Sequence, residues 1–278
     1  MDKNKKKQII IASIYAILFL LFFGFVFSKI YFWIKPAPTC SDGIKNQNEE
    51  GTDCGGVCSN KCAPAARYDL KVISAGFVES GFPGKYDLYA EVSNPNSDLG
   101  ASQFQYLFKI KNSSGEQTAT REGTAIILPG ETKYVIENNI ESKTAPESVE
   151  AEIKNPVWVE FADYEKPQLK IINKNYNEIN SGVGFGEAVG VLRNDSPFDF
   201  SAIKIKVILK DFDGKIVALN STQINTVKSG ENREFRAFWP VKFPGTVGNM
   251  EVQAEVNVFD SDSFAKKYFK TQKFQEYQ

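Results

Sequence analysis

An uncharged, apolar run of nineteen residues, Ile9 to Phe27, most constrains what this chain can become. At about 1.5 Å of rise per residue it makes a helix of roughly 28 Å, close to a hydrocarbon core of about 30 Å. Lysines 3, 5, 6 and 7 precede the run and are expected to stay in the cytoplasm. The sequence therefore predicts a cytoplasmic basic tail (1–8), a single membrane helix with interfacial aromatic residues (9–34), and an extracytoplasmic remainder.

Three other interpretations of this run fit less well. A cleaved signal peptide has a shorter apolar stretch of about 7–15 residues and a small-residue cleavage site, whereas bulky residues follow here. A lipid-modified Cys40 would need small and branched residues before it, and Pro36-Ala37-Pro38-Thr39 stands there instead. A buried core helix would not carry a lysine cluster at one end. We favour an uncleaved anchor, with cleavage as the alternative.

Composition limits the chemistry of the part beyond the anchor. Its length of about 240 residues suggests two domains. The net charge of -1 offers no basic surface for nucleic acid. The chain has no histidine, which excludes Ser-His-Asp and Cys-His catalysis and His-containing zinc sites. An enzyme would have to rely on carboxylates alone, as glycosidases do, and no carboxylate pair stands out. We therefore expect no enzyme.

All four cysteines, Cys40, Cys54, Cys58 and Cys62, fall in one segment (35–66) flanked by prolines. An even cluster outside the membrane is typical of two disulfides, and four cysteines allow three pairings. Zinc held by four thiolates is the alternative, although the spacing lacks C-x2-C pairs.

The loop between the first two cysteines is rich in side-chain oxygen, which calcium prefers in sets of six to eight ligands. The D-x-D-x-D-G core of an EF-hand is missing, so simple turn formation is the alternative. The candidate calcium ligands are Asp42, Asn46, Asn48, Glu50 and Asp53.

This segment resembles a short module of extracytoplasmic bacterial and archaeal proteins, written C-x-D-G-I-x-N-x-x-E-x-x-x-D-C-G-G-x-C-x-x-C. It departs from that pattern where three residues, not two, precede Cys62. The resemblance implies an exported, disulfide-bonded element without known chemistry, which we expect to act as a stiff collar. The matching residues are Cys40, Asp42, Gly43, Ile44, Asn46, Glu49, Asp53, Cys54, Gly55, Gly56 and Cys58.

Beyond Ala66 the chain alternates between apolar and polar residues, as β-strands with one buried and one wet face do. Turn signals such as Asn94-Pro95 and Asp213-Gly214 separate these stretches. This predicts an all-β fold of the sandwich kind. The clearest strands are 88–92, 104–110, 203–210 and 252–258.

The pattern also repeats with an offset of 99 or 100 residues. Ala90–Asn94 corresponds to Gly190–Asn194, and Leu128–Glu131 corresponds to Lys228–Glu231. We predict two tandem sandwiches (67–164 and 168–270), a linker (165–167) and a tail (271–278). Because a short linker limits relative motion, we expect a rod.

The second copy, with Leu209-Lys210-Asp211-Phe212-Asp213-Gly214, resembles FxLYD-type and related immunoglobulin-like domains of prokaryotic envelope proteins, which carry an L-x-D-x-x-G turn after a G-x-V-x-N strand. The first copy is looser. The resemblance implies immunoglobulin-like sandwiches used in binding or spacing rather than in catalysis.

Several further motifs have ordinary structural interpretations that we prefer. Asp211 and Asp213 fit a hairpin turn better than a metal site. The glycines of 182–186 lack a P-loop lysine and a following helix. Trp158 and Trp239 fit a core better than a sugar-binding face. Asn112, Asn194 and Asn220 begin glycosylation triplets at predicted turns.

The function predicted from these observations is a membrane-anchored extracytoplasmic protein that presents tandem domains to a protein or glycan partner at the cell surface. A structural or accessory subunit of a membrane or surface assembly is the alternative. The membrane contact is Ile9–Phe27, and the only cofactor considered is Ca²⁺.

Overall fold

The chain divides into two compact units, Met1–Ala66 and Arg67–Gln278. The computed structural model describes residues 3–34, 39–49, 51–61, 67–161 and 164–268. The first unit contains the helix α1 (Lys3–Ile34) and the cysteine segment, and the second contains twelve strands and a short C-terminal helical region.

The helix α1 is apolar on all sides between its N-terminal lysines and Lys29. Its segment Ile11–Lys29 has a mean hydropathy of 2.4, and none of it is buried by the rest of the protein. A helix that is apolar all round matches lipid better than water. The predicted helix, long and apolar enough to span a membrane, is confirmed, and its orientation stays a prediction.

The second unit is built from four three-stranded antiparallel sheets, ordered β1-β2-β5, β4-β3-β6, β11-β8-β7 and β10-β9-β12. The same strand order therefore appears twice along the chain, and the predominantly β fold is confirmed. The first six strands are β1 (Lys71–Glu79), β2 (Lys85–Ser93), β3 (Leu99–Lys111), β4 (Gln117–Ile127), β5 (Thr132–Glu141) and β6 (Ser148–Glu160). The next six are β7 (Leu169–Glu178), β8 (Gly186–Asn194), β9 (Phe200–Lys210), β10 (Ile216–Val227), β11 (Asn232–Trp239) and β12 (Asn249–Val256).

Each half, β1–β6 and β7–β12, has its own core between its two sheets. Leu88 of β2 and Phe104 and Phe108 of β3 are fully buried in the first core. Leu192 of β8 and Ile205 of β9 are fully buried in the second. Each core draws alternate residues from facing sheets, which is the packing that strand alternation predicts.

Equivalent hydrogen bonds stabilise the turns of both halves. The Asn94 side-chain amide donates to the carbonyl oxygens of Leu99 (2.6 Å) and Leu128 (3.0 Å). One hundred residues later, Asn194 donates to Phe198 (2.8 Å) and Lys228 (3.1 Å). These buried amides satisfy carbonyl groups that would otherwise lose their partners when water is excluded.

A third apolar cluster joins the halves. It packs Tyr134 and Ile136 of β5 against Ile208 of β9, together with Ile216 and Leu219 of β10. The alternation of β9 predicts a wet face bearing Lys204, Lys206, Ile208 and Lys210, and this is wrong in the middle of the strand. Ile208 is 0% exposed because the first half covers it.

We call this contact the junction, and it places the halves side by side. At one end of it Lys133 of β5 meets Glu255 of β12 at 2.9 Å. At the other, the Gly81 backbone lies so close to Lys242 that an added Cβ would be 2.5 Å from its carbonyl oxygen. The expectation of a rod stacked end to end is therefore wrong. The buried apolar face, invisible to the alternation pattern, is the physical reason.

Both halves point the same way along the junction. The first half begins at the end where Lys71 pairs with Ser93, and β6 ends there beside Leu99. The second half begins at the corresponding end, where Leu169 pairs with Asn194. We call this the linker end. The opposite hairpin end carries the β3–β4 and β9–β10 turns.

A short helix that the sequence pattern did not predict covers the linker end. A 3-10 turn (Val258–Asp260) leads into α2 (Asp262–Tyr268), whose Phe264 is fully buried. The Glu165 backbone nitrogen donates to the Tyr268 hydroxyl oxygen at 2.8 Å, and Lys267 pairs with Glu165 at 3.1 Å. These contacts fix the predicted linker to the second half. The predicted tail (271–278) lies outside the described residues.

Replacing Ile208 by Ala tests the junction. We expect a loss of about 2–4 kcal/mol in the free energy of unfolding, because the change leaves a cavity between packed surfaces. Lys204→Ala, on the same face of β9 but exposed, should change it by less than about 0.5 kcal/mol. Urea unfolding of the full chain in mild detergent, followed by tryptophan fluorescence, measures both. Equal effects of the two variants would contradict side-by-side packing.

Candidate functional site

The cysteine segment is disulfide-bonded, as predicted. Cys40 and Cys58 form one bond with a Cα–Cα distance of 5.6 Å, and Cys54 is also disulfide-bonded. Cys62 lies outside the described residues. Because three of the four sulfurs are in disulfides, the zinc alternative lacks its thiolates.

The predicted calcium ligands are engaged as turn-forming groups. Asp53 accepts hydrogen bonds from the backbone nitrogens of Asp42 (2.9 Å) and Gly43 (3.0 Å). Asp42 accepts from the Thr39 backbone (3.0 Å) and from the Asn46 side chain (2.9 Å), and these bonds, the Thr39 bond foremost, lower the pKa of Asp42. Among the remaining candidates, Asn48 is exposed and Glu50 lies outside the described residues. Calcium binding stays a prediction.

Glu49 is the residue of this segment that the calcium prediction missed. It is buried, and its carboxylate accepts from the backbone nitrogens of Asn46 and Asp53, both at 3.2 Å. Its other oxygen lies 3.1 Å from the Cys58 sulfur. Glu49 thereby connects both ends of the loop to the disulfide. Among the described residues, Cys40, Glu49 and Cys58 are the group with metal-ligand spacing, and the disulfide removes two of its donors.

The hairpin and glycine motifs of the second half also lie in turns. Asp211 accepts from the backbone nitrogens of Asp213 (3.0 Å) and Lys215 (2.9 Å), which shapes the β9–β10 turn. Gly184 has a φ of 98°, and an added Cβ would lie 2.1 Å from the Phe238 ring. Strand β8, not a helix, follows this glycine loop, so it lacks the amide cradle of a phosphate site.

The tryptophans and glycosylation triplets have mainly structural places. Trp239 is buried against Tyr176 and offers no face to a sugar, whereas Trp158 is half-buried. Asn194 is fully buried with its amide engaged, which is incompatible with a glycan. Asn220 lies within β10 rather than at the predicted turn. The turn assignment of Asn220 is corrected, because its amide donates to the Phe238 carbonyl oxygen of a neighbouring strand, whereas Asn194 does stand at the turn after β8.

The junction contains an ionic cluster that the sequence did not reveal. Lys133 and Lys206 are both 3% exposed and share one oxygen of Glu255. The Lys206 ammonium also donates to the Tyr134 carbonyl oxygen at 2.5 Å. Burial lowers the pKa of Lys206 to about 8, against the opposing effect of Glu255. Burial would raise the pKa of Glu255, but the two ammonium groups lower it to about 2.

Lys133 differs from Lys206 in its partners. Its ammonium group lies 2.9 Å from Glu255 in poor hydrogen-bond alignment and has no other acceptor among the described residues. A cleft of about 260 Å³ adjoins it, lined by both halves and by the exposed Lys166. The two ammonium groups and one carboxylate leave a buried excess of one positive charge.

A buried carboxylate lies farther along the first half's face of the junction. Asp87 of β2 is 4% exposed and accepts from the Asn139 backbone nitrogen at 2.8 Å. Burial raises the pKa of Asp87 to about 6, because the charged form loses hydration. The neighbouring Asn138 donates across the junction to the Leu219 carbonyl oxygen at 3.4 Å.

No protein-family model and no curated protein sequence matches this chain. Among solved structures, red sea bream transglutaminase is 11% identical over 71% of this chain and 30% of that chain, with a TM-score of 0.23. Bacteroides uniformis beta-glucuronidase is 12% identical over 62% of this chain and 28% of that chain, with a TM-score of 0.17. This chain thus spans less than a third of either structure, and neither likeness supports a fold or an activity.

Glu255→Gln should lower the free energy of unfolding by about 3–5 kcal/mol near pH 7, because it leaves two buried ammonium groups without a counter-charge. Glu150→Gln breaks the exposed pair with Lys111 and should cost less than about 1 kcal/mol. Since the folded pKa of Glu255 lies below its usual 4.5, its contribution is complete above pH 4.5 and is lost as the pH falls toward 2. Urea unfolding across this range should show a smaller pH dependence in Glu255→Gln. An unchanged pH dependence would contradict the assignment.

Asp87→Asn should stabilise the protein near pH 7 by about 1–3 kcal/mol. The folded pKa of about 6 lies above the usual 3.8, so the cost of burying the charge is absent below pH 3.8 and complete above pH 6. Asparagine retains the oxygen that accepts from Asn139. Thermal unfolding at pH 7 and pH 3.5 should show the gain only at pH 7. A gain in stability at both pH values would indicate that the substitution improves packing rather than removes a buried charge.

Proposed function

We propose that this chain is a single-pass membrane protein whose second unit presents two immunoglobulin-like sandwiches to a protein partner outside the cytoplasm. The observation that carries the proposal is the helix α1, exposed and apolar on all sides, ahead of a disulfide-bonded segment. Disulfides persist in oxidising compartments, so they favour an extracytoplasmic location for everything after the helix.

The sheet orders support the immunoglobulin-like interpretation. The orders β1-β2-β5 and β4-β3-β6 correspond to strands A-B-E and C′-C-F of such a sandwich. The second half repeats this arrangement with β7-β8-β11 and β10-β9-β12. Folds of this kind carry their binding residues on loops at the ends of the strands.

The hairpin end supports partner binding by the second half. Phe212 in the β9–β10 turn is 83% exposed, and Val183 in the β7–β8 loop is 88% exposed. Large apolar side chains at loop tips are unfavourably exposed to water, and a partner that covers them gains free energy. Both tips lie at the hairpin end. Arg67, which follows the cysteine segment in the sequence, lies at the linker end.

The orientation is tested by single cysteines placed at exposed Lys143 and at Lys3, the first residue of α1, in a membrane preparation of known sidedness. We expect an impermeant thiol reagent added from outside to label position 143 and to leave a cysteine at Lys3 unlabelled until the membrane is opened. The opposite pattern would overturn the extracytoplasmic assignment.

Partner binding is tested by photo-crosslinking from position 212 in the full chain, in membranes of the source organism. We expect one discrete protein adduct, reduced at least ten-fold by Val183→Asp. A crosslinker at Val157, exposed near the linker end, is the matched control and should give none. An adduct with a second copy of this chain would favour the assembly-subunit alternative, and equal adducts from both positions would contradict binding at the hairpin end.

A further inference from the structure

We propose that the cleft at the linker end of the junction is a binding site for a small oxyanion, held between Lys133 and Lys166. The site lies between the two halves, away from the hairpin end, and does not depend on the proposed partner. The charge and hydrogen-bonding state of Lys133 and the shape of the cleft support this site.

The buried charges beside the cleft are unequal in number. Lys133 and Lys206 approach the same oxygen of Glu255, so one carboxylate faces two ammonium groups. Glu131, a partly exposed acid on the cleft wall, keeps its negative charge while accepting from the Leu128 backbone nitrogen at 2.7 Å, and the exposed Lys166 on the same wall offsets that charge. The three buried groups Lys133, Lys206 and Glu255 therefore keep a formal excess of one positive charge. Such a charge is costly to bury unless an anion completes it.

The two buried lysines differ in their hydrogen bonds. Lys206 has two defined acceptors, Glu255 and the Tyr134 carbonyl oxygen. The Lys133 ammonium is as deeply buried and has three N–H groups, yet it has no well-aligned acceptor among the described residues. Lys133 lines the cleft and its ammonium nitrogen is itself buried, so an anion in the cleft reaches these donors by displacing part of the wall.

The cleft has room for a small anion. The cleft of about 260 Å³ is large enough for a phosphate or a carboxylate group, and the exposed Lys166 from the linker lies at its wall. Lys166 makes no ion pair in the described part of the chain. An exposed lysine and a buried lysine on the wall of one cleft attract an anion electrostatically.

The two sources of such an oxyanion are a free small anion and an acidic side chain of another protein. The probes are inorganic phosphate and sodium acetate, compared with sodium chloride at equal ionic strength. The readout is the thermal unfolding midpoint of the full chain in neutral detergent. We expect phosphate or acetate, but not chloride, to raise the midpoint in a saturable manner.

Lys166→Gln should weaken the apparent affinity for the anion about three- to ten-fold. Lys143 is exposed at the hairpin end and forms no ion pair with the described residues, so Lys143→Gln is the control and should leave that affinity unchanged. Lys133→Met should abolish the anion effect while leaving the midpoint in chloride unchanged or higher, because one ammonium and one carboxylate then balance. If Lys133→Met does not fold, the Lys166 and Lys143 pair decides the test.

No saturable effect of either anion on the unsubstituted protein would overturn a free-anion site. In that event, a glutamate-rich peptide that binds the unsubstituted protein and loses affinity with Lys166→Gln would assign the site to an acidic side chain. Failure of the peptide as well, or an anion effect that persists in Lys133→Met, would overturn the proposal entirely.

Discussion

The covering of the outer face of β9 by the first half is the contact on which the arrangement of the second unit depends. Ile208 lies between two lysines on a face that would be wet in an isolated domain. Burying it against Tyr134 and Ile136 releases water from apolar surface on both halves. The same closure forces Lys206 out of water, and Glu255 then becomes necessary as its partner. Apolar burial thus drives the contact, and the ionic cluster fixes its register.

Much of the fold could be predicted from the sequence because local rules control it. The pleat of a β-strand gives its side chains a period of two, so β3 and β9 could be predicted from the alternation of apolar and polar residues. The asparagine turns after β2 and β8 are legible because an amide is the side chain that bonds two carbonyl groups at once. Clustered cysteines outside a membrane helix indicate disulfides, although the spacing could not select the Cys40–Cys58 pairing.

The remainder depends on contacts between distant parts of the chain. Alternation shows which side chains share a face of β9 but not what covers that face, so the burial of Lys206 was not predictable. Lys133 and Glu255 are more than a hundred residues apart, and no local pattern relates them. Helix α2 is seven residues long, too short to establish a helical period, and its place is set by Phe264 packing on Phe198. These failures have one cause, since tertiary burial overrides local pattern.

The two halves have diverged at equivalent turns while keeping their hydrogen bonds. Asn112 and Asp211 accept from the same pair of backbone positions, but the following residue is Ser113 in one half and Phe212 in the other. Because both halves are held parallel by the junction, the spacing between these dissimilar tips does not depend on a flexible tether. A ligand that contacts one tip therefore finds the other at a fixed distance, without losing the conformational entropy of a linker. In this respect the paired halves present one surface with two loop tips at a fixed spacing, unlike two domains joined by a flexible linker.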